Sequence, residues 1–417
     1  MGRDSGRQVQ SFLSRLPAAA EGMRVSEVRL SGRRFRTVRA IAAACLLGGV
    51  AGWSLTAVGA IASGMADAYE VDLAMVGIFT TAFAATYALC QIPAGALVDR
   101  IGPRGVGAAG LSVIAVACLL ATVEPWAGLA VAARLLAGVG ASLCYVAGAD
   151  LARASGAGPA GQGVFGGISA ASGGIALVVV PWAAEALAWR SAWITSVVFA
   201  ALGLLACLAA ASSPGGRGTR PAPQEARRSV LKDPELYRLA AVHTVTFGGG
   251  IVLSNWAALI LQRSWDIERT WAYATASLVL LTTVVSRPLG GLLARARRQR
   301  VRTATVLSLA AGALATLGLT RPGPLPLAVC WTLLLGLASG IPFAAVFASA
   351  QQRRSDRPAS AVGLMNAHAN ALIFVGTPAL GAAVDGGHIS AALNVVAALW
   401  LLPLLVLPTS LGDRSNQ

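Results

Sequence analysis

Long apolar stretches recur from one end of this chain to the other, and they constrain its fold more than any other feature. Each stretch is long enough for a helix to cross a hydrocarbon layer of roughly 30 Å. Charged residues make up only 12% of the chain, about half the share found in a typical soluble domain. The sequence therefore predicts an all-α integral membrane protein.

Hydropathy predicts twelve spanning helices, at 40–63, 73–97, 106–122, 127–149, 163–184, 191–211, 237–262, 270–294, 303–319, 326–350, 361–384 and 391–408. The longest gap between them is rich in Gly, Pro and Arg, which is typical of a flexible linker. The predicted organisation is a basic tail (1–39), a six-helix bundle (40–211), a linker (212–236), a second six-helix bundle (237–408) and a short tail (409–417).

Basic residues are distributed unevenly between the two sides of this predicted topology. The gaps on the side of the N-terminus hold 27 Arg and Lys residues and the opposite gaps hold four. The positive-inside rule then predicts that both termini are cytoplasmic in a multi-pass protein of the cytoplasmic membrane, the cell inner membrane of a bacterium. The same distribution accounts for the net charge of +15 without nucleic acid as a partner.

The sequence offers no pattern typical of an enzyme. The six cysteines all lie in apolar stretches, where thiols pack as small hydrophobic groups. We find no metal-ligand spacing of Cys and His, no nucleotide-binding glycine loop and no catalytic constellation. We therefore expect no metal, no cofactor and no catalytic residues.

An internal repeat relates the two predicted bundles. "RPLGGLLAR" at 287–295 aligns with "IPAGALVDR" at 92–100, and each stretch ends an even-numbered span on the predicted cytoplasmic side. Proline, glycine and arginine coincide, but Asp99 stands opposite Ala294. Two six-helix halves with matching loops are typical of a transporter built from a parallel repeat.

Two motifs resemble those of a known family. "GALVDRIGPR" resembles the G-x-x-x-D-R-x-G-R-R/K loop of the major facilitator superfamily, with matches at Gly95, Asp99, Arg100, Gly102 and Arg104. "RLLAGVGAS", which begins at Arg134, is similar to the R-x-x-x-G-x-G stretch of its fourth helix. The resemblance implies two six-helix bundles around a central cavity and transport of a solute by alternating access.

The resemblance also implies a conformational gate. Asp99 ends its own helix, where the helix dipole disfavours an anion, so it needs a partner elsewhere. The family pattern implies that this partner is the start of the eleventh helix, near Ser360, in the state closed to the cytoplasm. We expect Gly95 and Gly102 to permit close approach, and Arg100 and Arg104 to be able to hold lipid phosphates. The alternative is a charge cluster that serves membrane topology alone.

Four ionisable residues fall within predicted spans, where burial is costly and a function is expected. They are Arg134, Arg287, His243 and His368. No Asp or Glu lies in the middle of a span, which favours an anionic or neutral substrate and argues against a carrier of cationic drugs. Arg134 and His243 are candidates for a proton relay or for structural hydrogen bonds.

Arg287 is the main candidate for contact with substrate. "SRPLGGLLA" resembles the R-P-x-x-G stretch of monocarboxylate transporters, whose arginine contacts a carboxylate, although the aspartate expected four residues earlier is Thr283. Polar residues predicted to line the cavity with Arg287 are His368, Asn366, Asn370, Gln91 and Asn255. The alternatives are an arginine that extends to the membrane surface, packed histidines, and amides that join helices.

These features predict a monomeric secondary active transporter of a small organic solute. The substrate is expected to be anionic, with a carboxylate as one possibility, H+ as a possible coupling ion and membrane lipids as surroundings. One alternative is a proton-coupled multidrug or metabolite efflux antiporter. From another class, a membrane sensor without transport or a lipid scramblase also fits an all-α membrane protein.

Overall fold

A computed structural model describes residues 35–209, 230–295 and 297–412, and the regular structure in these ranges is helical. We number its helices α1 to α12 in chain order. The predicted tails 1–39 and 409–417 and the predicted linker 212–236 lie mostly outside the described residues. The described end of that linker holds a short turn, Val230–Lys232, and the start of the next helix.

The N-terminal half contains six helices. The first, α1, covers 35–56 and continues through a turn into a short helix that ends at Tyr69. The second, α2, consists of Leu73–Leu89 and Gln91–Ile101, which are bent by 49° at Cys90. The others are α3 (Pro103–Ala121), α4 (Ala127–Ala154), α5 (Gly158–Leu187) and α6 (Ser191–Ala209).

The C-terminal half repeats this order. Its first helix, α7, has three parts: Pro234–His243, a π-helical stretch Thr244–Gly249, and Gly250–Trp265. The others are α8 (Arg269–Leu293), α9 (Arg298–Gly318), α10 (Leu325–Arg353), α11 (Pro358–Asp385) and α12 (Ile389–Leu405).

The number of helices that can cross a membrane depends on how bent segments are counted. Nine helical segments of the described residues are long and apolar enough, or ten if the bent pair in α2 is one span. One of the nine contains both α5 and α6, and α12 is a shorter apolar helix. The multi-pass helical architecture is therefore confirmed, while the count of twelve spans stays a prediction.

Local sequence accounts for several helix ends. Proline occupies the first or second position of α3, α5, the first part of α7, α10 and α11, where its missing amide is not needed. The Asp72 carboxylate accepts a hydrogen bond from the Met75 amide and caps the first part of α2. Gly102 ends α2 with a φ of +95°, a backbone conformation that favours glycine.

Small residues bring the helices of each half together. A Cβ added to Gly110 of α3 would lie 2.6 Å from the carbonyl oxygen of Gly140 on α4, and the reverse distance is the same. In the other half, a Cβ on Gly336 of α10 would lie 2.6 Å from the Val279 oxygen of α8. Helices in a membrane associate through such close backbone contact, since lipid provides no hydrophobic drive between them.

The two halves meet through α2 against α11 and α5 against α8. A Cβ on Gly363 would lie 2.3 Å from the Gln91 oxygen, and one on Gly163 would lie 2.3 Å from the Arg287 oxygen. Several hydrogen bonds join the halves toward the end of the bundle that carries Asp99. We call this the Asp99 end, and in this structure its described helices are closed against one another.

Candidate functional site

The Asp99 carboxylate binds the first turn of α11. Its Oδ1 accepts a hydrogen bond from the Ala359 amide at 3.0 Å. Its Oδ2 accepts from the Ser360 amide at 2.9 Å and from the Ser360 hydroxyl at 2.5 Å. The first amides of a helix lack intrahelical acceptors and lie at the positive end of its dipole. A carboxylate disfavoured at the end of α2 thus finds a favourable environment on its partner helix.

The glycines of this loop have different roles. A Cβ on Gly95 would lie 2.6 Å from the Ala359 oxygen and 2.7 Å from the Ser360 Cα, so only glycine allows α2 this close to α11. Gly102 has no such neighbour within 4 Å. The expectation that Gly102 permits close approach is therefore wrong, because its positive φ is what requires glycine. Arg100 is exposed and Arg104 is partly buried at the start of α3.

The repeat-related contact in the other half differs in chemistry. Arg295, at the end of α8, donates a hydrogen bond to the carbonyl oxygen of Ala157 at 3.0 Å, just before α5. A Cβ on Gly291 would lie 2.6 Å from the Pro159 oxygen, which parallels the role of Gly95. An arginine that donates to a carbonyl thus replaces a carboxylate that accepts from amides. The difference follows from the repeat itself, in which Ala294 stands opposite Asp99.

A buried amide pair adds to the closure, and sequence reasoning missed it. Gln162 of α5 donates to the side-chain oxygen of Gln351 on α10 at 2.9 Å and to the Ala149 carbonyl at 2.8 Å. Nearby, Arg354 donates two hydrogen bonds to Asp356 at 2.9 and 2.8 Å in the loop before α11, which lowers the pKa of Asp356. These contacts fix the segments on which the Asp99 contact depends.

Arg287 lies inside the protein at the contact between the halves. Only 2% of the residue is exposed, and its Nη1 donates to the carbonyl oxygen of Gly166 on α5 at 2.5 Å. The guanidinium carbon lies 4.6 Å from the centre of the Phe343 ring and 5.3 Å from that of Phe247. Its Nε has no hydrogen-bond partner among the described residues. A buried cation with a free donor and no described carboxylate is suited to an anion.

His243 shares these aromatic neighbours. It is fully buried, its ring is stacked on Phe247 at 5.1 Å, and it lies 5.8 Å from Phe343 and 5.0 Å from Phe347. We call Arg287, His243, Phe247, Phe343 and Phe347 the buried cluster. Phe247 lies in the π-helical stretch of α7, and π-bulges are frequent at functional sites.

A chain of amides connects the buried cluster to the other half. His243 Nε2 lies 3.0 Å from Asn366 Oδ1, and Asn366 Nδ2 donates to Gln91 Oε1 at 3.3 Å. Asn370 donates to the backbone oxygen of Asn366 at 2.9 Å, one turn earlier on α11. The structure therefore brings Arg287, Asn366, Gln91 and Asn370 into one buried region, with His243 at its centre.

Two predicted cavity residues lie elsewhere. His368 was expected to face Arg287, but its Nδ1 is bonded to the Leu364 carbonyl and its ring packs edge-to-face on Tyr237. This expectation is wrong because the side chains of His368 and Asn366 point to different sides of α11, and it is Asn366 that faces the buried cluster. Asn255 is exposed, is twelve residues beyond His243 on α7, and donates weakly to Thr377 at 3.4 Å.

Arg134 is held within the N-terminal half. Its Nε donates to the Phe79 carbonyl of α2 at 3.1 Å and its Nη1 to the Ser54 carbonyl of α1 at 2.6 Å. The guanidinium also lies over the Phe83 ring at 4.3 Å. These bonds match the structural alternative considered for Arg134, because they tie three helices together.

The aromatic part of the buried cluster was not predicted. The sequence did contain a signal for it, namely two pairs of ring-bearing residues spaced four apart, which places each pair on one helix face. The pairs are His243 with Phe247 and Phe343 with Phe347. The glycine-rich stretch "FGGGI" that begins at Phe247 packs closely on α11, because a Cβ on Gly248 would lie 2.8 Å from the Ala369 oxygen. Among the described residues, no group of His, Cys, Asp and Glu could hold a metal ion.

Comparisons with known proteins agree with this architecture. The family model of the Major Facilitator Superfamily matches residues 44–377. Among curated proteins, none matches the sequence significantly. Similar solved structures include the human organic anion transporter MFSD10 (TETRAN), with a TM-score of 0.70, 15% identity, and coverage of 89% of this chain and 99% of that one. The transporter FucP in the outward conformation gives a TM-score of 0.70 and 14% identity, covering 91% of this chain and 100% of that one.

Proposed function

Because the chain belongs to the major facilitator superfamily, we propose that it is a secondary active transporter that moves a small organic anion across the cytoplasmic membrane by alternating access. The fold likeness, at 14–15% identity, identifies no substrate. The proposal rests on one observation: Arg287 is buried between the halves with a free Nε donor and no described carboxylate against it.

An anion supplies what this site lacks. An isolated guanidinium in an apolar environment is costly unless a counter-charge or hydrogen bonds compensate it. The carbonyl of Gly166 and two phenyl rings compensate part of this cost, and they leave one edge of the guanidinium for a ligand. A carboxylate is the natural partner, since it can accept two parallel hydrogen bonds from arginine.

The described carboxylates do not favour a cationic substrate. Asp150 and Glu235 are buried, but Arg153 pairs with the first at 2.7 Å and Arg238 with the second at 3.3 Å. Glu235 also accepts hydrogen bonds from the Ser410 amide and hydroxyl. Neither is free to bind a cation or exchange a proton for one, which places the efflux antiporter second.

We further propose that the Asp99 end is cytoplasmic and that the contact of Asp99 with α11 is the gate of the outward-facing state. The arginine distribution supports the orientation. The gate proposal is supported by the three hydrogen bonds of Asp99, which exist only while α2 and α11 touch. The closed contacts of α5 and α8 at the same end fit this state.

Uptake by reconstituted protein tests the function. Proteoliposomes that contain the full chain are loaded at a defined pH and offered labelled lactate, propionate or pyruvate, with ethidium as the cationic alternative. We expect carboxylate uptake, a marked loss of affinity in Arg287→Lys and no uptake in Arg287→Gln. Lysine keeps the charge but cannot reproduce two parallel hydrogen bonds.

The matched control is Arg269→Gln, an exposed arginine at the other end of the same helix, which should transport normally. Reconstituted amounts and melting temperatures of the purified variants exclude a folding defect. Carboxylate uptake that persists in Arg287→Gln would refute the role of Arg287. Ethidium movement without carboxylate uptake would favour the antiporter.

A further inference from the structure

The buried cluster contains a second unpartnered polar atom, Nδ1 of His243. This nitrogen can accept a hydrogen bond, whereas the unpartnered Nε of Arg287 donates one. Taking the proposed function as given, we propose that the transported anion is a small carboxylate that also carries a hydroxyl. The carboxylate would bind Arg287, and the hydroxyl would donate a hydrogen bond to His243 Nδ1. This assigns His243 a role in selecting the substrate.

The hydrogen-bond chain on α11 fixes the proton of His243. Asn366 donates through Nδ2 to Gln91, so its Oδ1 faces His243 Nε2. An amide oxygen only accepts, so Nε2 carries the proton and donates it. In the neutral imidazole the other nitrogen, Nδ1, is then a pure acceptor.

The surroundings favour the neutral imidazole. The charged neighbour of the ring is Arg287 from α8, which is itself close to Tyr145 from α4, while Asn366 and three phenyl rings complete the contacts of the ring. No described carboxylate faces the ring. A second buried positive charge beside Arg287 would have no partner, so a ligand meets an acceptor at Nδ1.

One small molecule can reach both groups because they pack on the same two rings. The His243 ring lies 5.1 and 5.8 Å from the centres of Phe247 and Phe343. The guanidinium carbon of Arg287 lies 5.3 and 4.6 Å from the same centres. The phenyl rings give the carbon skeleton of such a ligand an apolar surface.

A plain carboxylate would satisfy only half of this site. It would bind Arg287 but leave the Nδ1 acceptor buried and unpaired, and an unpaired buried polar atom is costly. Sites built to hydrogen-bond a substrate hydroxyl reject analogues that lack it much more strongly than apolar pockets reject a missing methylene. We expect the hydroxylated acid to bind about tenfold or more tightly than its parent acid.

Binding of matched acids to the purified protein tests this inference. The pairs are lactate with propionate and 3-hydroxybutyrate with butyrate, which place the hydroxyl at two distances from the carboxylate. The third probe is 2-methoxypropionate, whose ether oxygen cannot donate. Dissociation constants come from calorimetry or ligand-dependent melting. We expect a hydroxyl preference in at least one pair, and no advantage for the methoxy acid.

Two variants separate the inference from the proposed function. In His243→Gln the amide nitrogen can still donate to Asn366, but the side-chain oxygen then lies away from the position of Nδ1, so the hydroxyl preference should fall to about one. His368→Gln, a histidine outside the buried cluster, should keep the preference. Equal binding of both acids by the unmodified protein, or a preference that survives in His243→Gln, overturns the inference alone. Binding of either acid that is unaffected in Arg287→Gln overturns the proposed function instead.

Discussion

Replacing Asp99 by asparagine tests the gate with a change of only one atom. The carboxylate accepts from the Ala359 amide on one oxygen and from the Ser360 amide and hydroxyl on the other. Asparagine keeps a single oxygen, so its amide nitrogen must face at least one N–H donor of α11. The charge that the helix dipole favours is lost as well.

The size of the effect follows from these contacts. A hydrogen bond to a charged group contributes about 1.5–3 kcal/mol, and a charge near a helix terminus contributes about 0.3–1 kcal/mol. Because asparagine retains the better-placed bonds to Ser360, we expect the closed Asp99 end to lose about 2 kcal/mol. A balanced equilibrium would then shift about 30-fold toward the state open at this end.

Distances between spin labels across the Asp99 end can measure this shift. Labels at Ile101 and Ser355, both exposed and in different halves, report whether the end is closed. The background lacks the six native cysteines, which carry no disulfide among the described residues. The longer distance should gain population in Asp99→Asn.

Asp67→Asn is the matched control, because it removes the same charge from an exposed residue of the opposite end. It should leave the distance distribution unchanged. A closed population in Asp99→Asn equal to that of the unmodified protein, with both variants stably folded, would refute the gate and leave a topological role for the loop.

Two further substitutions test neighbouring contacts. Gly95→Ala should open the Asp99 end in the spin-label assay, since the alanine Cβ would lie 2.6 Å from the Ala359 oxygen and the helices must separate. An unchanged distribution of label distances would show that α2 adjusts without opening. Arg134→Gln should destabilise the detergent-solubilised protein by about 2–4 kcal/mol, because two buried carbonyls lose a charged donor, and its melting temperature should fall accordingly. Normal stability with failed transport would instead support a relay role for Arg134.

The sequence was most informative where membrane physics leaves few choices. Long apolar stretches require helices in lipid, because every backbone amide must be satisfied within the segment. The loop from Gly95 to Arg104 resembles a known motif, and Asp99 there needs an external partner for electrostatic reasons. For Arg287 the sequence left open whether the side chain extends to the membrane surface, and the structure buries it between the halves.

The predictions that failed and the contacts that were missed depend on side-chain direction, backbone angles and long-range packing, which hydropathy does not encode. Asn366 and His368 are two residues apart on α11, which separates their side chains by more than half a turn, and hydropathy cannot decide which one points inward. Gly102 and Gly95 occur in one motif, but only the backbone angles and the distance to Ala359 distinguish a positive φ from close packing. The glutamine pair at the closed end joins residues far apart in sequence, Gln162 and Gln351, with no local signal.

The proposed gate and the buried cluster share one helical segment. The second part of α2, Gln91–Ile101, places Asp99 against Ser360 at one end and Gln91 against Asn366 at the other. If the Asp99 end opens by movement of this segment away from α11, both contacts break together. Asn366 would then lose the bond that orients its oxygen toward His243. Under the proposed function, a ligand held by His243 and Arg287 would therefore bind most strongly while the Asp99 end is closed, and opening of that end would weaken its site.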